Sequence, residues 1–124
     1  MIQINYQDKR PIYEQIVERF RQLIVSGALQ EDEKIPSVRS LAIDLSINPN
    51  TIQKAYQELE RLGFIYTVKG RGNFVAGRAQ WSEECSEEYK KQLNSVLNAL
   101  KALGVPEDEI LGAVHSIMKG GVQA

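Results

Sequence analysis

The sequence has almost none of the residues that build metal sites and disulfide frameworks. It contains one cysteine, Cys85, and one histidine, His115, among 124 residues. A single cysteine forms no intramolecular disulfide, and a single histidine provides no local cluster of soft metal ligands. We therefore expect no metal site and no cofactor, and we interpret both residues as ordinary packing or surface positions.

Long apolar runs are missing as well. No segment approaches the roughly 20 apolar residues of a membrane-spanning helix, and the N-terminal segment lacks the apolar core of a secretory signal. We expect a cytoplasmic protein without membrane contact. A chain of 124 residues also leaves no room for a second full-sized sensor or catalytic domain. No paired carboxylates or nucleophile triad can be assembled from the pattern, so no enzyme is expected.

The sequence also lacks a strong net charge, since the total is -1 at pH 7. The charge is nevertheless uneven along the chain. Residues 1–80 carry eleven Lys and Arg against nine Asp and Glu, whereas residues 81–124 carry four against seven. A mildly basic front is thus joined to an acidic tail, and the near-neutral total does not exclude nucleic acid as a partner of the front.

Three helices are predicted in the first half of the chain. Apolar residues recur at helical spacing over 11–26. A second helix is predicted over 38–45 and a third over 49–62, because Ser37 and Asn48 are well placed to cap them. The chain between the first two helices indicates a loop with a short strand near Ile35-Pro36.

The predicted third helix has two unlike sides. Its apolar residues Ile52, Ala55, Leu59 and Leu62 share one side, and Asn50, Gln53, Lys54 and Gln57 lie opposite them. We name the four polar residues the recognition arc. Uncharged amides are unusual on a merely solubilising face, where Glu and Lys would be expected. A solvated helix face is the alternative interpretation.

A β-hairpin is predicted after the third helix. The β-prone runs 64–68 and 73–75 flank Lys69-Gly70-Arg71-Gly72, which we name the wing tip. An ordinary hairpin turn is the alternative. Helix, strand, helix, short turn, helix and hairpin is the order of a winged helix-turn-helix. The predicted class is therefore mainly α with a small β-hairpin (α+β), with a DNA-binding domain over residues 1–78.

In a winged helix-turn-helix, the second helix of the pair enters the major groove. Amide side chains can pair with adenine, and cationic side chains reach guanine or phosphate. Glycines let the backbone of the wing tip come close to a minor groove or its flanking phosphates. The DNA-contacting residues predicted in this way are Ser37, Arg39, Asn50, Thr51, Gln53, Lys54, Lys69, Gly70, Arg71 and Gly72. Arg39 has an alternative role as the ion-pair partner of Asp44 or Glu58, and Tyr56 is expected in the core or at its margin.

The second half of the chain predicts a two-helix dimerisation tail over residues 79–124. Its first helix has apolar residues at alternating spacings of four and three, which is typical of a coiled-coil seam. The predicted dimerisation residues are Tyr89, Leu93, Val96, Leu100 and Leu103 on that helix and Ile110, Val114 and Ile117 on the next. Packing of the seam against the last helix of the same chain is the alternative. Trp81 is expected to anchor the connector, with a place in an effector pocket as the other option.

Five short motifs resemble the N-terminal domain of GntR-type bacterial regulators over about 65 residues, from Pro11 to Val75. They are Pro11-Ile12-Tyr13, Ile35-Pro36-Ser37-Val38-Arg39 with Leu41-Ala42, Asn48-Pro49-Asn50-Thr51, Ala55-Tyr56-Gln57-Glu58-Leu59-Glu60 and Gly70-Arg71-Gly72-Asn73-Phe74-Val75. The Asn-Pro-Asn-Thr opening and the short helical tail are similar to the YtrA subgroup.

The resemblance implies a dimer that forms through the tail, binds a palindromic operator, and often represses operons for ABC transporters. It implies DNA contacts at Arg39, Asn48, Asn50, Thr51, Gln53, Lys69, Gly70 and Arg71. Many family members carry Arg where this chain has Pro49 and Gln53, so the operator of such relatives does not transfer. A winged-helix protein-interaction module without operator binding is the alternative function, and a small-molecule effector of unknown identity stays open as a further partner.

Overall fold

The computed structural model of the chain describes residues 2–120. This range contains five α-helices and one antiparallel β-hairpin. The first three helices and the hairpin form a winged helix-turn-helix, and the last two helices follow it. The elements are α1 Ile12–Val25, α2 Val38–Leu45, α3 Pro49–Arg61, β1 Ile65–Val68, β2 Gly72–Val75, α4 Glu83–Ala102 and α5 Glu107–Met118. The predicted fold class is confirmed.

Several boundaries differ slightly from the predicted ones, and α1, expected over 11–26, is one residue shorter at each end. Helix α3 ends at Arg61, with Leu62 as its C-cap. Strand β1 begins one residue later than predicted, because the amide of Phe64 donates to the carbonyl of Leu59 and still belongs to the end of α3. Strand β2 begins one residue earlier, at Gly72. The strand predicted near Ile35 is reduced to an isolated bridge between Lys34 and Phe74.

Both predicted N-caps are present. The hydroxyl of Ser37 accepts a hydrogen bond from the amide of Ser40 at 3.0 Å, and the side-chain oxygen of Asn48 accepts from the amide of Asn50 at 2.8 Å. Each bond satisfies an amide that the first helical turn leaves without an intrahelical partner. Between the two helices, Ser46 takes a left-handed conformation with φ +53°, which ends α2 and turns the chain into α3.

The core of the first part of the chain lies between the three helices and the hairpin. Its most deeply buried large side chains are Phe20, Phe64, Ile16, Ile35, Ile52, Leu59 and Val75. A buried polar residue, Gln15, accepts from the amide of Asn5 at 2.9 Å and donates to the carbonyl of Asn5 at 3.1 Å. These bonds satisfy the buried amide and hold the N-terminal segment against α1.

The chain divides into two compact units, Met1–Glu83 and Glu84–Ala124. Residue 1 and residues 121–124, which belong to the predicted domains, lie outside the described residues. The functional division predicted between residues 78 and 79 stays a prediction, because compactness does not test what each part does.

Neither α4 nor α5 contains a buried residue. Over the described residues, every helix is too short or too polar to cross a lipid bilayer.

Candidate nucleic-acid interface

Helix α3 presents its polar side to solvent and its apolar side to the core. Ile52, Ala55 and Leu59 have no exposed surface, and Leu62 is also buried. All four residues of the recognition arc are exposed. This orientation follows from the local sequence, because residues three or four apart share a side of an α-helix.

The recognition arc has two unlike edges. On one edge, Gln53 and Gln57 border a cleft of about 160 Å³ whose far wall includes Thr67 and Asn73 of the hairpin. The hydroxyl of Thr67 donates a 2.8 Å hydrogen bond to the side-chain oxygen of Asn73, which joins the two strands on this side. On the other edge, the ammonium of Lys54 leans towards α1. The hairpin and α1 therefore flank the arc from opposite sides.

The lysine contact with α1 is specific. The Nζ atom of Lys54 lies 4.0 Å from the centroid of the Tyr13 ring, and Tyr13 belongs to the first turn of α1. An ammonium over an aromatic face is attracted by the negative face of the ring. Sequence analysis placed Lys54 in the arc and did not select Tyr13, because periodicity assigns a residue to a face and does not pair two helices.

The wing tip is narrow and basic. Val68 pairs with Gly72, and the amide of Arg71 donates to the carbonyl of Val68 at 2.9 Å, which closes a three-residue loop. Lys69 and Arg71 are exposed. Gly70 and Gly72 have φ values of +80° and +125°, a region that favours glycine.

A second residue that sequence analysis missed lies beside the wing tip. The Cε atom of Lys34 would be 3.0 Å from a Cβ atom on Gly72, so glycine at this position also leaves space for the lysine side chain. The isolated β-bridge between Lys34 and Phe74 places the lysine at this position. Lys34 adds a third cation to Lys69 and Arg71, and no local sequence signal could have shown this, because the contact joins distant segments.

The remaining predicted contact residues surround the starts of α2 and α3. Arg39 is exposed on the first turn of α2, and Thr51 is half-buried on the first turn of α3. Glu58 pairs with Arg61 at 2.7 Å. Throughout residues 2–120, no carboxylate lies within salt-bridge distance of Arg39. The alternative pairing of Arg39 with Asp44 or Glu58 is therefore not found in this structure.

The helices of the tail leave many of their apolar side chains at least partly exposed. In the single chain, Tyr89, Leu93 and Val96 are each about half exposed, with exposed fractions of 50%, 53% and 55%. Among the other predicted dimerisation residues, Leu103, Val114 and Ile117 are exposed, and Leu100 and Ile110 are half-buried. Packing within one chain thus leaves much of the seam exposed, and dimerisation through the seam and its packing against the last helix both stay predictions.

The sequence predicted roles outside the DNA and dimer interfaces for four residues, namely Tyr56, Trp81, His115 and Cys85. Tyr56 is buried and packs edge-on against Phe20, with ring centroids 5.6 Å apart. Trp81 packs against Phe64 with centroids 5.5 Å apart, which anchors the connector, and it also borders an open cleft of about 390 Å³. His115 is exposed and Cys85 is half-buried.

Comparison with known proteins agrees with this geometry. The family model described as bacterial regulatory proteins, gntR family, matches residues 12–75, which is more than half of the chain. The chain belongs to the GntR family.

Two proteins resemble this GntR-family chain over nearly its whole length. The transcriptional repressor YtrA of Bacillus subtilis is 36% identical over 98% of the chain and 97% of the repressor. A crystal structure from Listeria monocytogenes, described as a transcriptional antiterminator, is 40% identical with a TM-score of 0.75, covering 100% of the chain and 93% of that protein. The expected resemblance to the YtrA subgroup is confirmed.

A third similarity concerns the DNA-binding part. The DNA-binding domain of AraR, solved in complex with operator ORX1, is 31% identical with a TM-score of 0.55 and covers 60% of this chain and 96% of that domain. The family and these relatives are transcription regulators and not enzymes. This GntR-family chain is accordingly a transcription regulator with a DNA-binding helix-turn-helix.

Proposed function

We propose that the chain represses transcription as a homodimer that binds a palindromic operator. Residues 1–78 bind DNA and residues 79–124 join two copies. Helix α3 lies in the major groove, and the wing tip lies at the minor groove or the adjacent backbone. The observation that carries the proposal is the orientation of α3, whose recognition arc is exposed beside a basic wing tip while its aliphatic side is buried.

The residues of α3 suit the reading of base edges. Asn50 stands on the first turn and Gln53 on the next, so both amides can enter a groove together. An amide side chain pairs bidentately with adenine, and each good pair discriminates against a wrong base by about 1 to 3 kcal/mol. Thr51 adds a hydroxyl and a methyl group, which suit a phosphate oxygen and a thymine methyl.

The capping residues retain donors for phosphate. The side-chain oxygen of Asn48 already accepts from the amide of Asn50, so its NH₂ group is the part that donates to DNA. The hydroxyl of Ser37 accepts from the amide of Ser40 and keeps its own proton for a phosphate oxygen. Arg39 adds a cation near the same helix start. These contacts set the register of the protein on DNA, and base contacts set specificity.

The partly exposed apolar face of the tail supports dimerisation. A helix whose apolar side chains stay partly exposed in their own chain gains free energy by burying the exposed part against a second copy, at about 25 cal/mol per Å² of apolar surface. Alternating spacings of four and three suit paired helices. The sign of regulation is taken from YtrA, which is described as a repressor. A regulator of chromosomal operators works in the cytoplasm, where the DNA is.

Gel-shift and footprinting experiments on the DNA upstream of the gene test this proposal. We expect protection of an inverted repeat whose half-sites lie about 10 base pairs, or a multiple of this, apart. A reporter driven by the protected promoter should rise in activity when the gene is deleted. Binding that is equally strong on unrelated DNA would refute operator recognition, and a fall in reporter activity would refute repression.

A further inference from the structure

The contact between Lys54 and Tyr13 restrains a side chain that would otherwise be free. Lys54 is exposed, and its ammonium rests 4.0 Å from the centroid of a half-buried ring. Within the described chain, no carboxylate lies within salt-bridge distance of Lys54. The aromatic ring of α1 is therefore the feature that defines where this cation sits.

The restraint places the cation at one edge of the recognition arc. Gln53 points to the cleft beside the hairpin, whereas Lys54 is drawn to the first turn of α1. An ammonium has three donors, and contact with a ring face leaves others directed to solvent. A cation held beside the arc suits the phosphate backbone that borders a groove better than the base edges within it.

We propose that Tyr13 is a positioning residue of the DNA interface, which holds the Lys54 ammonium at the α1 edge of the recognition arc to bind a backbone phosphate. The inference rests on the proposed function. Holding the lysine before DNA arrives reduces the conformational entropy that the side chain loses on binding. This role differs from the contact with guanine that the sequence left open for Lys54, because a phosphate contact carries no direct base readout.

The test measures binding to operator and to unrelated DNA of equal length over a series of salt concentrations. Lys54→Gln should weaken both complexes by the same factor and lower the slope of log K against log salt by about 0.9, the value for one phosphate. Lys91→Gln is the matched control, because Lys91 is an exposed lysine on α4. It should leave the slope unchanged.

The role of Tyr13 is tested by a double-mutant cycle. Tyr13→Leu should weaken DNA binding by about two- to five-fold at most, because the advantage of holding the lysine before DNA binds cannot exceed the strength of an exposed cation–π contact. Tyr13→Phe keeps the ring and should bind as the wild type does. In the Lys54→Gln background, Tyr13→Leu should have no further effect on DNA binding, whereas a merely structural role would give the same loss in both backgrounds.

The outcomes separate the two proposals. If the wild-type chain prefers its operator but Tyr13→Leu costs the same with and without Lys54, this inference alone is overturned. It is also overturned if Tyr13→Phe binds as weakly as Tyr13→Leu, or if Lys54→Gln weakens only the operator complex. A wild-type chain that binds neither DNA overturns both proposals.

Discussion

The hydroxyl of Tyr56 donates a 2.6 Å hydrogen bond to the carbonyl oxygen of Pro36. Tyr56 lies in the middle of α3, and Pro36 lies two residues before α2 begins. The bond therefore ties α3 to the segment that leads into α2. The ring is buried and also packs against Phe20, so Tyr56 joins α3 both to α1 and to the segment before α2.

Tyr56→Phe should lower the free energy of unfolding by about 1 kcal/mol, because it removes one hydrogen bond and keeps the packing of the ring. Chemical denaturation followed by circular dichroism measures this change. Tyr66→Phe is the matched control, since the Tyr66 hydroxyl bonds to Asp32 at 2.8 Å on the exposed side of the hairpin. A larger loss in the control would contradict the assigned role of the Pro36 bond.

The same hydroxyl predicts a dependence of stability on alkaline pH. Burial raises the pKa of Tyr56 above its ordinary value near 10. The folded state thus holds this proton more tightly than the unfolded state, so the contribution is complete below about pH 10 and is lost as the pH rises further. Wild type should lose more stability than Tyr56→Phe between about pH 8 and pH 11. Equal losses would argue against this linkage.

Gly63 should tolerate a side chain far less well than Gly27. Both residues have positive φ values, +85° and +86°. A Cβ on Gly63 would lie 1.8 Å from the carbonyl oxygen of Gln80, whereas nothing lies within 4 Å of one on Gly27. Gly27→Ala should cost about 1 to 2 kcal/mol of unfolding free energy from its backbone conformation alone. Gly63→Ala should cost about 1 to 3 kcal/mol more, because the backbone of the connector must shift.

Thermal unfolding of the two glycine variants checks this difference. The amide of Ser82 donates to the carbonyl of Leu62 at 2.8 Å, so the shift at Gly63 would also disturb the attachment of the connector to the end of α3. Similar melting temperatures for Gly63→Ala and Gly27→Ala would show that the close approach does not persist in solution.

Specificity and affinity should respond to different residues of the interface. Asn50→Ala and Gln53→Ala should each reduce discrimination between operator and mismatched DNA by about 1 to 3 kcal/mol at one or two positions in each half-site. Arg71→Ala should weaken binding to all sequences and lower its salt dependence. Titrations against operators with single base changes measure both effects. The same uniform loss for all three variants would refute this division.

The seam on α4 should control the oligomeric state. Leu93→Glu places a charge on a side chain that is 53% exposed in the single chain, so the fold of the chain should tolerate it. In a dimer that buries the seam, the same charge is desolvated without a partner, and the protein should become monomeric. Size-exclusion chromatography with light scattering measures this. Ser95→Glu, an exposed position on the opposite side of α4, should leave the dimer intact.

Much of the fold follows from interactions between residues that are close together in the sequence. The starts of α2 and α3 follow from Ser37 and Asn48, whose side chains bond to amides two or three residues ahead. The exposed recognition arc follows from helical periodicity in the same way. The small errors lie at Leu62, Phe64 and Gly72, where hydrogen bonds at the end of α3 and the pairing of the hairpin decide where an element begins.

The sequence by itself therefore determined the order of elements, their caps and the composition of the recognition arc, because these depend on residues within about four positions of each other. Tertiary structure alone decided that Lys54 meets Tyr13 and that Lys34 lies beside Gly72. Such contacts join distant segments, and they depend on how helices and strands pack against a shared core. Helical periodicity shows which side of a helix is apolar, but only tertiary packing determines which helix or strand lies beside it.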